Sequence, residues 1–283
     1  MERFLKRRER IRAKVKELNF DAYLVMHPAN RFYLSGFELH DPQCNESAGC
    51  ILLIPDGEDY LLTDPRYYEA AIKLWDKDYV FIYTSNKMEE IKEFLLKNKL
   101  KNIGFEPNIL SYEFYNSLSK SVNLIPYKGL VESFREVKDE HELNLIKESV
   151  EINHKVFSKI PSLKLTEITE EELEWEIEKL FREFGAKELA FKSIVASGKN
   201  AALPHYIPGK KGIQKNSCLL IDIGGRYKDY CSDQTRTFWI GDNPPEYFSR
   251  TLDMVKRAQK LAIENIRPGM VIKDLYFLVK DFF

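Results

Sequence analysis

The chain has 283 residues, of which 44% are apolar and 13% aromatic, which suits one large or two ordinary globular domains. Lys and Arg number 43 and Asp and Glu number 44, so the near-zero net charge of −1 excludes attachment to nucleic acid by bulk charge. A mean hydropathy of −0.40 and the lack of a long apolar run argue against a membrane span or a signal peptide. Cys44, Cys50, Cys218 and Cys231 have no CxxC spacing, so we expect a soluble protein of the reducing cytoplasm.

The first segment of the chain is strongly basic, with eight Lys or Arg side chains between residues 3 and 16. Phe4, Ile11, Val15 and Leu18 recur at helical spacing, which predicts an amphipathic helix with these side chains inside. We interpret the basic residues as a solvated helix face rather than as a patch for nucleic acid or membrane.

Short apolar runs that alternate with helical segments predict an α/β domain over residues 1–126. The turn signal Pro55-Asp56-Gly57 joins two of these runs into a hairpin. The predicted strands are 22–26, 50–54, 60–63, 80–83 and 101–105, and the predicted helices after the first are 65–73 and 88–98.

The pattern changes near residue 127, which predicts a second domain over residues 127–283. Capping boxes at Asp139/Glu142 and Thr169/Glu172 predict helices that run to about 160 and 184. The predicted strands are 193–197, 217–224 and 228–240, followed by a helix over 245–265. These elements predict an α+β domain with helices packed on an antiparallel sheet.

Two aspartates in this domain are candidates for chemistry. Asp222 lies inside an apolar strand, where carboxylates are uncommon. If the hairpin turns at residues 227–228, Asp222 directly opposes Asp233, and this repulsion requires a proton or a cation between them. A bulge at residues 224–225 would shift the register. The spacing alone leaves metal binding and two solvated acids equally open.

A third candidate is His205, which ends a loop of small residues that begins at Ser197. A lone histidine is more often a packed or surface residue, and the local sequence favours that interpretation. As a functional group it would donate a proton or a hydrogen bond near neutral pH.

Four segments of the chain are similar to motifs of one known family. Residues 222–237 resemble the first metal-binding motif of the pita-bread metallopeptidases (family M24), the group of aminopeptidase P and prolidase, and residues 191–206 resemble the preceding motif. Residues 28–36 and 62–67 resemble the creatinase-type N-terminal domain that accompanies these enzymes. The resemblance covers essentially the whole chain. It implies an α/β creatinase-like domain followed by the first half of an α+β pita-bread domain.

The resemblance also implies a function and a set of site residues. Members of this family hold two divalent ions (manganese, cobalt or zinc) with two Asp, one His and two Glu. By resemblance Asp222 holds one ion, Asp233 bridges both, His205 stabilises the tetrahedral intermediate, and Thr235 orients Asp233. The implied activity is Xaa-Pro aminopeptidase or dipeptidase hydrolysis of proline-containing peptides by a cytoplasmic homodimer, with neither nucleic acid nor membrane as a partner.

The chain departs from this family after Asp233. No histidine follows His205, and none of the later acids lies in a matching motif, so three of the five expected ligands have no counterpart. Apolar residues at 272, 275, 276 and 279 form a helical stripe that needs another surface to cover it. We expect a C-terminally truncated and inactive peptidase. The alternative is a non-catalytic peptide- or protein-binding relative, although the retained aspartates disfavour it.

Overall fold

The computed structural model describes residues 2–38 and 47–283, so Cys44 lies outside the described residues. Two compact units divide the chain, Met1–Asp139 and Glu140–Phe283. No helix in the described ranges is both long and apolar enough to cross a bilayer.

The first unit contains a six-stranded sheet with the order β4-β3-β2-β1-β5-β6 among the described residues. Its elements are α1 (Glu2–Glu17), β1 (Ala22–Val25), α2 (Pro28–Ser35), β2 (Gly49–Leu53), β3 (Tyr60–Thr63), α3 (Tyr68–Leu74), β4 (Val80–Ile82), α4 (Lys87–Lys97), β5 (Asn102–Phe105), α5 (Tyr112–Leu118), β6 (Asn123–Pro126) and α6 (Leu130–Arg135). Strands β1, β2 and β3 are antiparallel neighbours, whereas β4, β5 and β6 join the sheet in parallel. The predicted hairpin of β2 and β3 is therefore confirmed.

The sheet of the first unit has an apolar core on each face. Successive side chains of a strand point to opposite faces, so Tyr23 and Val25 of β1 lie in one core while Ala22 and Leu24 lie in the other. Residues of α1, α2, α3 and α6 cover one face, and residues of α4 and α5 cover the other. This arrangement confirms the predicted α/β class.

The first unit extends past residue 126, where the sequence analysis placed the domain boundary. Leu130 and Val131 of α6 are 2% and 0% exposed and belong to the core that α1 covers. The compact unit consequently ends at Asp139, after α6 has packed.

Two arginines of α1 are not part of a solvated face. Arg7 is 6% exposed and donates to Asp139 Oδ2 at 2.6 Å. Arg8 donates to Asp59 Oδ2 at 3.1 Å, and its guanidinium lies 4.0 Å from the ring centre of Trp75. The interpretation of the basic residues as a solvated face is wrong for these two, because a planar guanidinium on an apolar stem can stack and pair inside the unit.

The second unit packs helices on antiparallel strands. Its elements are α7 (Glu140–Lys159), α8 (Glu170–Glu183), β7 (Glu188–Leu189), β8 (Ile194–Ser197), β9 (Ser217–Ile223), β10 (Gly225–Tyr227), β11 (Tyr230–Cys231), β12 (Gln234–Ile240), α9 (Glu246–Asn265) and α10 (Ile272–Phe282). The described strands form two sheets, β12-β9-β8 and β11-β10-β7. The capping box of Thr169 and Glu172 is present at the start of α8. The predicted α+β class is confirmed.

Strand β9 has one apolar face and one face that carries an acid. Leu219, Ile221 and Ile223 are fully buried in the core that α7 and α8 share with the sheet. Asp222 alternates with them and therefore lies on the opposite face. An otherwise apolar strand tolerates this carboxylate because the side chain never enters the core.

Candidate metal and peptide site

The hairpin that carries the two aspartates has a different register from the one that the sequence analysis considered. Its turn residues are Lys228 and Asp229, whose φ angles of 45° and 69° suit a two-residue turn of type I′. The turn lies one residue later than predicted, so Asp222 pairs with Thr235 rather than with Asp233. The predicted direct opposition of the two aspartates is therefore wrong.

The glycines at 224 and 225 add no bulge to this hairpin. Gly224 lies opposite Asp233, and Gly225 lies opposite Ser232. Two residues on each strand therefore separate the β9–β12 pairing from the β10–β11 pairing. Gly224 is required by a close approach, because a Cβ at this position would lie 2.1 Å from the Ser232 carbonyl oxygen. It would also lie 2.7 Å from the Phe191 ring.

Helix α7 fixes this glycine segment through two polar side chains. Ser149 Oγ donates to the carbonyl of Gly225 at 3.0 Å, and Asn153 Nδ2 donates to the carbonyl of Ile223 at 3.2 Å. Ser149 and Asn153 are each 1% exposed, so they supply hydrogen-bond donors to carbonyl groups that water does not reach. Sequence reasoning did not single out either residue, since their partners lie about 70 positions along the chain.

Asp222 and Asp233, the aspartate pair, contact each other although they are not direct cross-strand partners. Burial, the charge of Asp222 and a hydrogen bond with Asp222 together raise the pKa of Asp233 above its ordinary value. Thr235 Oγ1 donates to Asp222 Oδ1 at 2.7 Å. The expected role of Thr235 in orienting Asp233 stays a prediction. The hydroxyl reaches Asp222 because the register makes these two residues cross-strand partners.

The aspartate pair and His205 line one cleft of about 610 Å³, which we call the aspartate cleft. Glu171 and Glu174 of α8 also line it, together with Lys192. Burial raises the pKa of Glu174, and the charge of Glu171 adds to this effect while Lys192 opposes it. Four carboxyl groups and one ammonium group therefore give the cleft an acidic character that suits a cation.

His205 lies in the loop between β8 and β9. Its side chain is exposed at the aspartate cleft, and its backbone is left-handed with a φ of 53°. Glu170, at the first position of α8, holds this loop with a buried carboxylate that accepts from Tyr206 OH at 2.7 Å. Sequence reasoning missed Glu170, because an acid in the first turn of a helix is common for helix-dipole reasons alone.

The aspartate pair fits part of a site for divalent cations. Carboxylate oxygens are hard ligands, and a cation that both carboxylates share would relieve the repulsion that adds to burial in raising the pKa of Asp233. Within residues 2–38 and 47–283, no group of three or more His, Cys, Asp or Glu side chains is arranged to hold a metal ion. The assignment of Asp222 and Asp233 as metal ligands therefore stays a prediction, and no third ligand group stands beside them among the described residues.

Comparison with known proteins identifies the class of this fold. A sequence profile of "Metallopeptidase family M24" matches residues 144–283, and a profile of the "Creatinase/Prolidase N-terminal domain" matches residues 7–137. An Xaa-Pro dipeptidase of Pyrococcus horikoshii is 31% identical over 93% of this chain and 72% of its own length. The chain thus spans about three quarters of this relative.

Two solved structures have the same fold as this chain. An Xaa-Pro dipeptidase from Bacillus anthracis superposes with a TM-score of 0.88 at 28% identity, covering 99% of this chain and 77% of that one. An X-Pro aminopeptidase from Thermotoga maritima superposes with a TM-score of 0.82 at 28% identity, covering 95% and 76%. The chain belongs to metallopeptidase family M24 and carries a creatinase/prolidase N-terminal domain in front of the peptidase domain.

Proposed function

We propose that the aspartate cleft is the peptide site of an Xaa-Pro peptidase, an enzyme that hydrolyses the bond before proline. The observation that carries this proposal is the contact between Asp222 and Asp233 in a cleft that also presents His205. Relatives at this level of similarity are named Xaa-Pro dipeptidase and X-Pro aminopeptidase. Both activities agree with the cleft, so the proposal covers dipeptides and longer peptides alike.

Each site residue has a proposed role. Asp222 and Asp233 would hold the divalent ions, with manganese, cobalt or zinc as candidates. Such ions polarise a peptide carbonyl and provide a water nucleophile at neutral pH. Thr235 fixes one carboxylate rotamer through its bond to Asp222 Oδ1. His205 donates a hydrogen bond to the oxygen that becomes negative in the tetrahedral intermediate.

We further propose that the 283-residue chain does not complete this reaction by itself. Two carboxylates cannot supply the six or so oxygen ligands that a cation such as Mg²⁺ or Ca²⁺ takes, let alone hold two ions. When one part of a catalytic unit is missing, the rate of the catalysed reaction typically falls by several orders of magnitude.

The proposed cellular setting is a cytoplasmic homodimer. Cys50, Cys218 and Cys231 are free thiols, which suits a reducing compartment. Ile272 and Tyr276 on α10 are 83% and 60% exposed, and apolar side chains grouped in this way favour association with another surface.

The test of the peptide site is a titration of ¹³C-histidine-labelled protein with Ala-Pro and, separately, with Ala-Ala, in the presence of Mg²⁺. Mg²⁺ replaces Mn²⁺ here because it is diamagnetic and leaves the spectra sharp. We expect the His205 imidazole resonance, assigned with His205→Gln, to shift with Ala-Pro more than with Ala-Ala. The resonance of His154, which lies exposed on α7, serves as the internal control. Asp222→Asn should remove most of the shift.

A parallel assay measures hydrolysis of Xaa-Pro dipeptides and tripeptides with and without Mn²⁺. We expect none from the homogeneous chain. Cleavage that a chelator stops and Asp222→Asn abolishes would overturn the proposed inactivity. A His205 resonance that responds equally to both dipeptides, or to neither, would overturn the assignment of the cleft.

A further inference from the structure

The loop that carries His205 is fastened to the start of α8 on its C-terminal side. Backbone bonds connect Glu171 N to the carbonyl of Gly209 at 3.1 Å and Glu170 N to the carbonyl of Lys211 at 3.0 Å. These bonds use amide groups of the first helical turn, which have no partner inside the helix. They fix the segment four to six residues after His205.

The N-terminal side of the loop and Tyr206 are fastened by a single buried carboxylate. Glu170 Oε1 accepts from Ser197 N at 2.8 Å and from Asn200 Nδ2 at 2.9 Å, while Oε2 accepts from Tyr206 OH at 2.7 Å. Asn200 Nδ2 also donates to Tyr206 OH at 2.8 Å. We call these four residues the Glu170 cluster. It joins the end of β8, the short helical turn that follows and the residue after His205.

The Glu170 carboxyl group is suited to this role because its charge is retained in a buried place. Glu170 is 0% exposed. Burial alone would raise the pKa of Glu170, but the hydrogen bonds from Ser197, Tyr206 and Asn200 outweigh that effect and lower it. Hydrogen bonds to a charged acceptor are stronger than neutral ones, so each of these bonds restricts the loop.

The backbone of His205 needs such a restraint. A φ of 53° is sterically unfavourable for a residue with a Cβ, and such conformations persist only where the surrounding structure holds them. Tyr206, the next residue, is anchored through its hydroxyl and also lines the aspartate cleft. The anchored tyrosine therefore limits the backbone rotations by which His205 could leave the left-handed conformation.

We propose that Glu170 is a positioning residue that, through Tyr206 and Asn200, holds His205 at the aspartate cleft. This inference rests on the proposed function only in the use that it gives to a positioned His205. The Glu170 cluster and its restraint on His205 do not need a bound peptide. Glu170 itself lies outside the lining of the cleft, so it acts on the reaction only through the loop.

The test compares imidazole spectra of the free chain, labelled with ¹³C-histidine, in three variants. Tyr206→Phe removes one donor and keeps the ring, and Glu170→Gln removes the charge and keeps the shape. Glu172→Gln is the matched control, because Glu172 lies in the same helical turn but bonds only to Thr169 among the described contacts.

We expect Tyr206→Phe and Glu170→Gln to shift and broaden the His205 resonance while that of His154 stays in place. Amide exchange over residues 198–206 should accelerate about tenfold, which is the effect of one lost hydrogen bond on local opening. Glu172→Gln keeps an acceptor for Thr169 and should leave His205 unchanged, which separates positioning by Glu170 from the loss of a negative charge in this helical turn.

A sharp, unshifted His205 resonance in folded Tyr206→Phe would overturn the inference, and so would an equal response to Glu172→Gln. If Glu170→Gln fails to fold by circular dichroism, the Tyr206→Phe result decides alone. Failure of the peptide titration would overturn the proposed function and leave the positioning result standing, because the spectra of the variants are recorded without peptide.

Discussion

Replacing Gly224 by alanine should destabilise the second unit and separate the aspartate pair. The new Cβ would lie 2.1 Å from the Ser232 carbonyl oxygen, whereas ordinary contact begins at 3.4 Å, so the backbone must move by the difference of 1.3 Å. The Phe191 ring, 2.7 Å from the same Cβ, adds a second overlap. Overpacking of this kind typically costs about 1–3 kcal/mol. Since Ser232 adjoins Asp233, the same movement withdraws one carboxylate from Asp222.

The assay is scanning calorimetry, because the two compact units can unfold in separate transitions. Gly212→Ala is the matched control, since a Cβ there meets no heavy atom within 4 Å. We expect the transition of the second unit to move down by several degrees in Gly224→Ala and to change little in Gly212→Ala. Equal transitions in the two variants would refute the close approach at Gly224.

Three further predictions concern the metal, the pH and the assembly. Calorimetric titration should give Mn²⁺ affinity no tighter than about 10⁻⁴ M, the range of weakly liganded sites, and Asp233→Asn should abolish it. The pKa of Glu170 is lowered in the folded protein, so its stabilising contribution is present above the ordinary value of 4.5 and is lost as the pH falls through the lowered value. Acid titration of amide exchange over residues 198–206 should therefore show protection that fades below pH 4.5, and Glu170→Gln should flatten this dependence. Light scattering should show a dimer or larger species, and Ile272→Glu should shift it toward the monomer, because Ile272 is 83% exposed.

Each of these predictions has a contrary result. Micromolar Mn²⁺ binding that Asp233→Asn removes would mean that further ligands complete the site. Protection that is equally strong at acid pH would show that the Glu170 charge does not hold the loop. If both the wild type and Ile272→Glu are monomers, α10 does not form an interface between copies of this chain.

The sequence predicts those features whose causes are local. The Pro55-Asp56-Gly57 turn defines the β2–β3 hairpin, and the reciprocal side chains of Thr169 and Glu172 define the start of α8. In both cases the residues that decide the structure lie within a few positions of one another.

The register of the second hairpin was not predictable in the same way. Its turn consists of Lys228 and Asp229, neither of which is glycine, and a lysine with positive φ is uncommon. Asp229 tolerates the left-handed conformation but Lys228 does not favour it, so the composition gave only a weak reason to prefer this turn over the one a residue earlier. The identity of the two candidate aspartates came from the pattern of the strand and the family resemblance, whereas their relative placement depends on this turn.

The contacts that organise the site are also non-local. The donors to Glu170 lie 27 to 36 residues along the chain. In the first unit, Arg7 likewise pairs with a carboxylate 132 residues away. Such pairs leave no periodic signal in the sequence, because neither residue by itself shows which distant residue it will meet. They become visible only when tertiary packing brings the segments together.

The turn at Lys228 and Asp229 restricts how this hairpin can change during evolution. Side chains of β12 alternate between the core and the open face, so an inserted residue that slips the pairing by one position would exchange the two faces of the whole strand. Thr235 would then point away from Asp222, and Arg236 would point toward it. Substitution by Asn or Gly suits the same backbone angles and preserves the pairing. The turn thus tolerates changes of residue type, whereas a change of length preserves the site only if a longer loop keeps the same pairing.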